Sequence, residues 1–256
     1  MGGTTMLHYR RHAHRRHTYR HFAGAVAVAG LAVGVLSACD PVGTSVSDDA
    51  TVSDKVTAVK LDNSSGDVTV HGKSGAGGAS VHRKITYHSG KPGTTTRVEG
   101  GVLVLGGCGH NCSVDYTVEL PAGLPISGST SAGGIHLTQV GEVSVHTDSG
   151  DISVDQASGS VDVRTNNGEI KGTSLKGDKI QAKTDNGEIN LTPGKAQDIK
   201  ATTSNGEIHV TVPTGSYHVS AGTDIGEKHI GVQNDPNGKF KLDLGTDIGD
   251  ITVKTG

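Results

Sequence analysis

The chain has 256 residues, a formal net charge of −3, 39 glycines, no tryptophan and only 3% aromatic residues. Its only basic residues before position 39 are Arg10, Arg11, Arg15, Arg16 and Arg20, so a chain cut after residue 38 carries a net charge near −8. Such a surface repels phosphates, which excludes nucleic acid and anionic lipid headgroups as partners, and a core this poor in aromatics must come from Val, Ile, Leu and Ala in a regular array.

Residues 1–38 read as a signal peptide. A basic, histidine-rich start without acids is followed by an uncharged run at 23–35, too short to span a ~30 Å hydrocarbon core as a helix. The run ends in Leu36-Ser37-Ala38-Cys39, which resembles the lipobox of bacterial lipoproteins. That resemblance implies diacylglycerylation of the Cys39 thiol, cleavage before it, and a membrane-anchored chain facing the outside of the cytoplasm. Arg15-Arg16 lacks the hydrophobic residues that follow a twin-arginine export pair and counts as ordinary leader charge. Residues 39–55 are small and acidic without apolar periodicity, and are expected to be a flexible tether.

Residues 56–256 are expected to form one domain. Within 56–125, strand-like runs at 80–88, 95–105 and 113–120 alternate with Gly and Pro clusters and are expected to cap the repeats that follow. Cys108 and Cys112, outside the cell if the leader is right, are expected to close Gly109-His110-Asn111 as a disulfide. A metal site of Cys108, His110 and Cys112 is the alternative, and no fourth ligand is indicated for it.

Residues 126–256 repeat one unit, an alternating apolar segment, then Thr-x-x-Gly-acid-apolar-x-apolar, as in Thr184-Asp-Asn-Gly187-Glu188-Ile189-Asn-Leu191. Its corner glycines are Gly133, Gly150, Gly168, Gly187, Gly206, Gly226 and Gly249, with a diverged early copy at Gly66; the first six are 17, 18, 19, 19 and 20 residues apart. Period-two alternation on both sides of a fixed glycine predicts two short strands joined by a tight corner. The predicted class is all-β, a single parallel β-solenoid of about 17–20-residue coils with an N-terminal strand-rich cap. The alternative is an antiparallel β-meander, since Asn186-Gly187 and Asn205-Gly206 suit type I′ hairpins that would set Ala201 opposite Val210. Ile225 and Ile248, which precede their glycines, disfavour the positive φ that such a turn requires there. Val140, Ala157 and Leu175 in the intervening loops are candidates to plug a third inward corner, and Lys228 stands at an apolar position of its unit.

In stacked units Asp151, Glu169, Glu188 and Glu207 form a candidate acidic ladder at ~4.8 Å spacing, either solvated or binding Ca²⁺ or a cationic polymer. His136, His146, His209 and His218 show no ligand or catalytic spacing, and residues 75–78 lack the Lys-Ser and helix of a phosphate loop. No catalytic residue, metal site or cofactor is expected. Ser65-Gly66-Asp67-Val68, the segment from Cys108 to Gly123 and the Gly-acid-Ile repeats together resemble a β-strand-repeat family of unknown function labelled "putative adhesin". The resemblance implies a β-solenoid and a cell-envelope location. The expected function is a structural, adhesive or interaction module, partnered by the membrane through its lipid and by an envelope protein or polymer, with self-association at the C-terminal end as a further option. The alternative is a polysaccharide-binding or polysaccharide-active β-helix, disfavoured by the scarcity of aromatic faces and by acids that recur in like surroundings.

Overall fold

The computed structural model describes residues 43–90 and 92–256. The expected signal peptide, Cys39 and the start of the tether lie outside the described residues. The first part of the fold comprises β1 (Thr44–Val52), β2 (Ala58–Ser65), β3 (Val68–Lys73), β4 (Ala79–Tyr87), β5 (Thr96–Glu99), β6 (Val102–Gly106) and β7 (Cys112–Pro121). The repeats supply pairs of strands around each glycine: β8 (Ile126–Ala132) with β9 (Ile135–Thr138), β10 (Val143–Ser149) with β11 (Ile152–Asp155), and β12 (Val161–Asn167) with β13 (Ile170–Thr173). These continue as β14 (Lys179–Asn186) with β15 (Ile189–Thr192), β16 (Asp198–Asn205) with β17 (Ile208–Val212), β18 (Tyr217–Ile225) with β19 (Lys228–Ile230), and β20 (Phe240–Ile248) with β21 (Ile251–Thr255).

The strands form two mostly parallel sheets. One holds eleven strands in the order β1-β4-β7-β3-β9-β11-β13-β15-β17-β21-β19, the other ten in the order β18-β20-β16-β14-β12-β10-β8-β2-β6-β5. The strand before each glycine therefore lies in one sheet and the strand after it in the other, so the corner crosses between sheets instead of closing a hairpin. Equivalent positions are in register: Val143 faces Val161, which faces Ile180, then Ile199, then Leu242. Inward residues of both sheets merge into one apolar column, where Val140, Ala157 and Leu175 are completely buried in the loops, as the sequence suggested. The residues preceding them, Gln139, Gln156 and Ser174, take left-handed φ of 54–56° without being glycine. Nothing in the sequence pattern marked that left-handed backbone.

Three features depart from the sequence reading. Residues 44–52, expected as tether, form the edge strand β1, antiparallel to β4 from Thr44 opposite Tyr87 to Val52 opposite Ala79. Its Ser, Thr and Asp residues conceal the alternation, and it is fastened by the Arg83 guanidinium, which donates to both Asp48 oxygens at 2.5 and 2.6 Å. Second, only β1, β4 and β5 cap the stack with antiparallel pairing. β2, β3, β6 and β7 instead continue the parallel sheets as full units. Third, stacking order is not chain order at either end. The β6–β7 unit lies outside β2–β3, and β20–β21 is inserted between β16–β17 and β18–β19.

The C-terminal end is covered by its own loops. Asp235 N–H donates to the Tyr217 carbonyl at 2.9 Å, the Asn234 side-chain oxygen accepts from Val219 N–H at 2.9 Å, and Lys228 Nζ lies 3.4 Å from the Ala221 carbonyl. These contacts occupy part of the outer edge of β18, which would otherwise offer unpaired groups to another strand.

Candidate functional site along the glycine edge

The repeated Thr, Gly, Asn and acid positions all converge on one long edge, where the chain crosses between sheets. All eight predicted corner glycines have positive φ: Gly66, Gly133, Gly150, Gly168, Gly187, Gly206, Gly226 and Gly249. At Gly187 φ is +155°, and a Cβ there would stand 2.0 Å from the Gly168 carbonyl oxygen, so strand-like spacing at the corner leaves no room for a side chain. The recurring threonines follow from the same crossing. Thr147, Thr165, Thr184 and Thr203 are buried, and each hydroxyl donates to the corner glycine carbonyl of the preceding unit at 2.9–3.1 Å. Thr246 does the same to Gly206 at 3.0 Å, and Thr223 reaches Gly249 at 2.9 Å. A corner carbonyl turned out of the sheet ladder is thereby satisfied.

Outside this buried row runs an asparagine ladder, in which Asn186 donates to Asn167 at 3.1 Å and Asn205 to Asn186 at 3.0 Å. The acid row is longer than the sequence suggested. The pairing register, carried one residue back, lines up Asp115, Asp67, Gly134, Asp151, Glu169, Glu188, Glu207, Asp250 and Glu227 at the corners of consecutive strands. Aspartates in it bond backbone. Asp115 accepts from Asp67 N–H at 3.1 Å, Asp67 from Gly134 N–H, Asp151 from Glu169 N–H and Asp250 from Glu227 N–H, the last three at 2.8 Å. Glutamates reach side chains instead. Glu169 accepts from Asn190 at 3.0 Å, and His209 lies between Glu188 at 3.3 Å and Glu207 at 2.9 Å. Unit charges ~4.8 Å apart repel by ~0.9 kcal/mol in water, a cost these donors offset. Among the described residues no group of three or more His, Cys, Asp or Glu side chains is placed to hold a metal ion.

Cys108 and Cys112 form a disulfide with Cα atoms 6.0 Å apart, which consumes the thiols of the alternative metal site. It ties the β6–β7 loop at Cys108 to Cys112, the first residue of β7. His146 pairs with Asp148 at 3.0 Å. Buried groups the sequence did not flag include Gln197, whose Nε2 donates to the Leu175 carbonyl at 2.8 Å, and Tyr116 beneath the cap.

The family model described as Toastrack DUF4097 matches residues 113–254, more than half of the chain. Among solved structures, a "putative adhesin" from Bacteroides fragilis aligns at 16% identity with a TM-score of 0.47, covering 84% of this chain and 99% of that one. A "putative cell adhesion protein" from Clostridium sporogenes aligns at 14% identity with a TM-score of 0.38, covering 83% and 100%. No curated protein matches the chain.

Proposed function

The chain belongs to the Toastrack DUF4097 family, and from that premise we propose that it is a non-catalytic interaction module of the cell envelope. In this reading Cys39 carries the lipid anchor, the chain faces outward from the membrane, and residues 56–256 form a parallel β-solenoid with one 17–20-residue repeat per coil. An envelope protein or polymer is the partner. The observation that carries the reading is that the repeated acids are tied to neighbouring units along their own ladder, the aspartates to backbone N–H groups and the glutamates to Asn and His side chains. Glycoside hydrolysis needs a pair of carboxylates flanking the scissile bond and free to act as acid and as base or nucleophile, whereas carboxylates bonded along a ladder suit a rigid presenting surface.

Two measurements test it. Fractionation of cells making the wild-type chain and Cys39→Ser is expected to move the protein from membrane to soluble fractions, with loss of lipid mass. The full chain incubated with cell-wall polymers is expected to bind envelopes without releasing reducing ends. Turnover of any polymer overturns the non-catalytic reading, and Cys39→Ser protein that keeps its membrane location and mass overturns the anchor.

A further inference from the structure

Two identical pentapeptides, Gly222-Thr223-Asp224-Ile225-Gly226 and Gly245-Thr246-Asp247-Ile248-Gly249, lie side by side in register on β18 and β20. They break the surface pattern of the other repeats in three adjacent rows at once. Where the preceding units carry the bonded asparagines 167, 186 and 205, these carry isoleucines that are 50% exposed at Ile248 and 66% at Ile225. Exposed aliphatic side chains in a row of amides forfeit both the amide bonds and the benefit of burial, so the fold gains nothing from them. In the next row Asp148 is paired with His146 and Asp185 with Lys183, but Asp224 and Asp247 have no side-chain partner among the described residues. In the third row Arg164, Lys183 and Thr202 give way to Gly245 and Gly222, which opens a trough of about 540 Å³ between Lys183 and the two aspartates.

We infer that this doublet is a docking face for a segment of a partner protein that carries an arginine or lysine beside an apolar residue. The basic stem would lie along the glycine floor with its head between Asp224 and Asp247, while the apolar neighbour packs on Ile225 and Ile248. Charge decides the class of partner. Two unpaired carboxylates next to two exposed isoleucines complement a cationic, amphipathic segment. A sugar finds no aromatic face in the trough lining. Strand addition to β18 is disfavoured because Asn234, Asp235 and Lys228 already occupy part of its outer edge, at Tyr217, Val219 and Ala221. The inference rests on the interaction-module reading and names its partner.

The test pans a phage-displayed random peptide library on the full chain and measures the enriched peptides against three double variants. Asp224→Asn/Asp247→Asn removes the charge. Ile225→Asn/Ile248→Asn restores the residue of the neighbouring repeats. Gly222→Thr/Gly245→Thr fills the trough, and is tolerated because a Cβ meets nothing within 4 Å at Gly222 and only the Thr202 methyl at 3.9 Å at Gly245. Expected are peptides pairing a basic with an apolar residue, bound roughly tenfold or more weakly by each variant and weakened by salt. Melting temperatures of the variants, measured alongside, show whether each is folded. No enrichment, peptides without a basic residue, equal binding by folded variants, self-association of the wild type through this face, or displacement by soluble glycans alone would each overturn the inference. Envelope binding that survives in all three folded variants defeats the docking face and leaves the module reading intact; failure of the wild-type chain to bind envelopes defeats the module reading itself.

Discussion

Lys228 faces Ile251 across the outermost strand pair of the eleven-stranded sheet, in a row that runs back through Ile208, Ile189, Ile170, Ile152, Ile135, Val68 and Tyr116. Its ammonium crosses the end of the apolar column to the Ala221 carbonyl of the other sheet. A further unit stacked there would have to desolvate that charge, so this side chain closes the stack together with the 234–235 loop over β18. Lys228→Ile completes the apolar row and is expected to produce end-to-end association. Sedimentation of Cys39→Ser protein, with and without the second change, checks this: larger species are expected only in the double variant.

The threonine row gives a second expectation. Thr184→Val keeps the shape of the side chain but strands the Gly168 carbonyl, at a cost of about 1–3 kcal/mol, and Thr184→Ser recovers most of the hydrogen-bonding part. Asn186→Ser, on the exposed row, is expected to cost no more than about 0.5 kcal/mol. Urea denaturation midpoints separate the three.

Alkaline pH acts on Tyr116. Its hydroxyl, 2.7 Å from the Gly106 carbonyl and 3.2 Å from that of Thr95, is held out of solvent, and burial pushes its pKa up to about 12. A raised pKa means the native state resists deprotonation. The stabilisation is intact below the ordinary tyrosine value of about 10 and is lost as pH climbs from there through about 12. Tyr116→Phe is expected to be less stable at neutral pH by about 1 kcal/mol and to show a shallower alkaline decline. Burial raises Tyr217 in the same direction, so some decline persists in the variant.

Strand β1 depends on the Arg83–Asp48 pair, with further help from Thr95, whose hydroxyl lies 2.9 Å from Arg83 Nη1. Asp48→Asn is expected to weaken docking of β1 by about 1.5–3 kcal/mol. Amide hydrogen exchange should accelerate in residues 44–52 while the repeats retain protection.

What could be read from the sequence was the part that repeats. Period-two alternation located Val161, Val163, Ile180 and Ala182 on inward faces, and the fixed glycines located the corners, because each signal recurs often enough to stand above chance. The exchange of stacking order at both ends was hidden, since β18 and β20 carry nearly the same pattern and differ mainly in what lies beyond them. Strand β1 was hidden because the strand it pairs with, β4, is distant in sequence and its polar residues, Asp48 bonded to Arg83 among them, mask any apolar alternation. Lys228 was visible as an irregularity, but its meaning required knowing that its unit is the last in the stack. The acid row was read as four residues because Asp67, Asp115 and Asp250 join it only through pairing between units far apart in the chain.

The side-chain rows, the closed end and the doublet face exist only if successive units lie parallel and in register, with each corner crossing between sheets. Paired cysteines test that directly. Asn167→Cys/Asn186→Cys occupies register partners on neighbouring parallel strands and is expected to cross-link on oxidation, whereas Lys183→Cys/Asn190→Cys, on the outer faces of different sheets, is not. The opposite outcome, Lys183→Cys joined to Asn190→Cys with the first pair left open, would mean that the units fold back as hairpins.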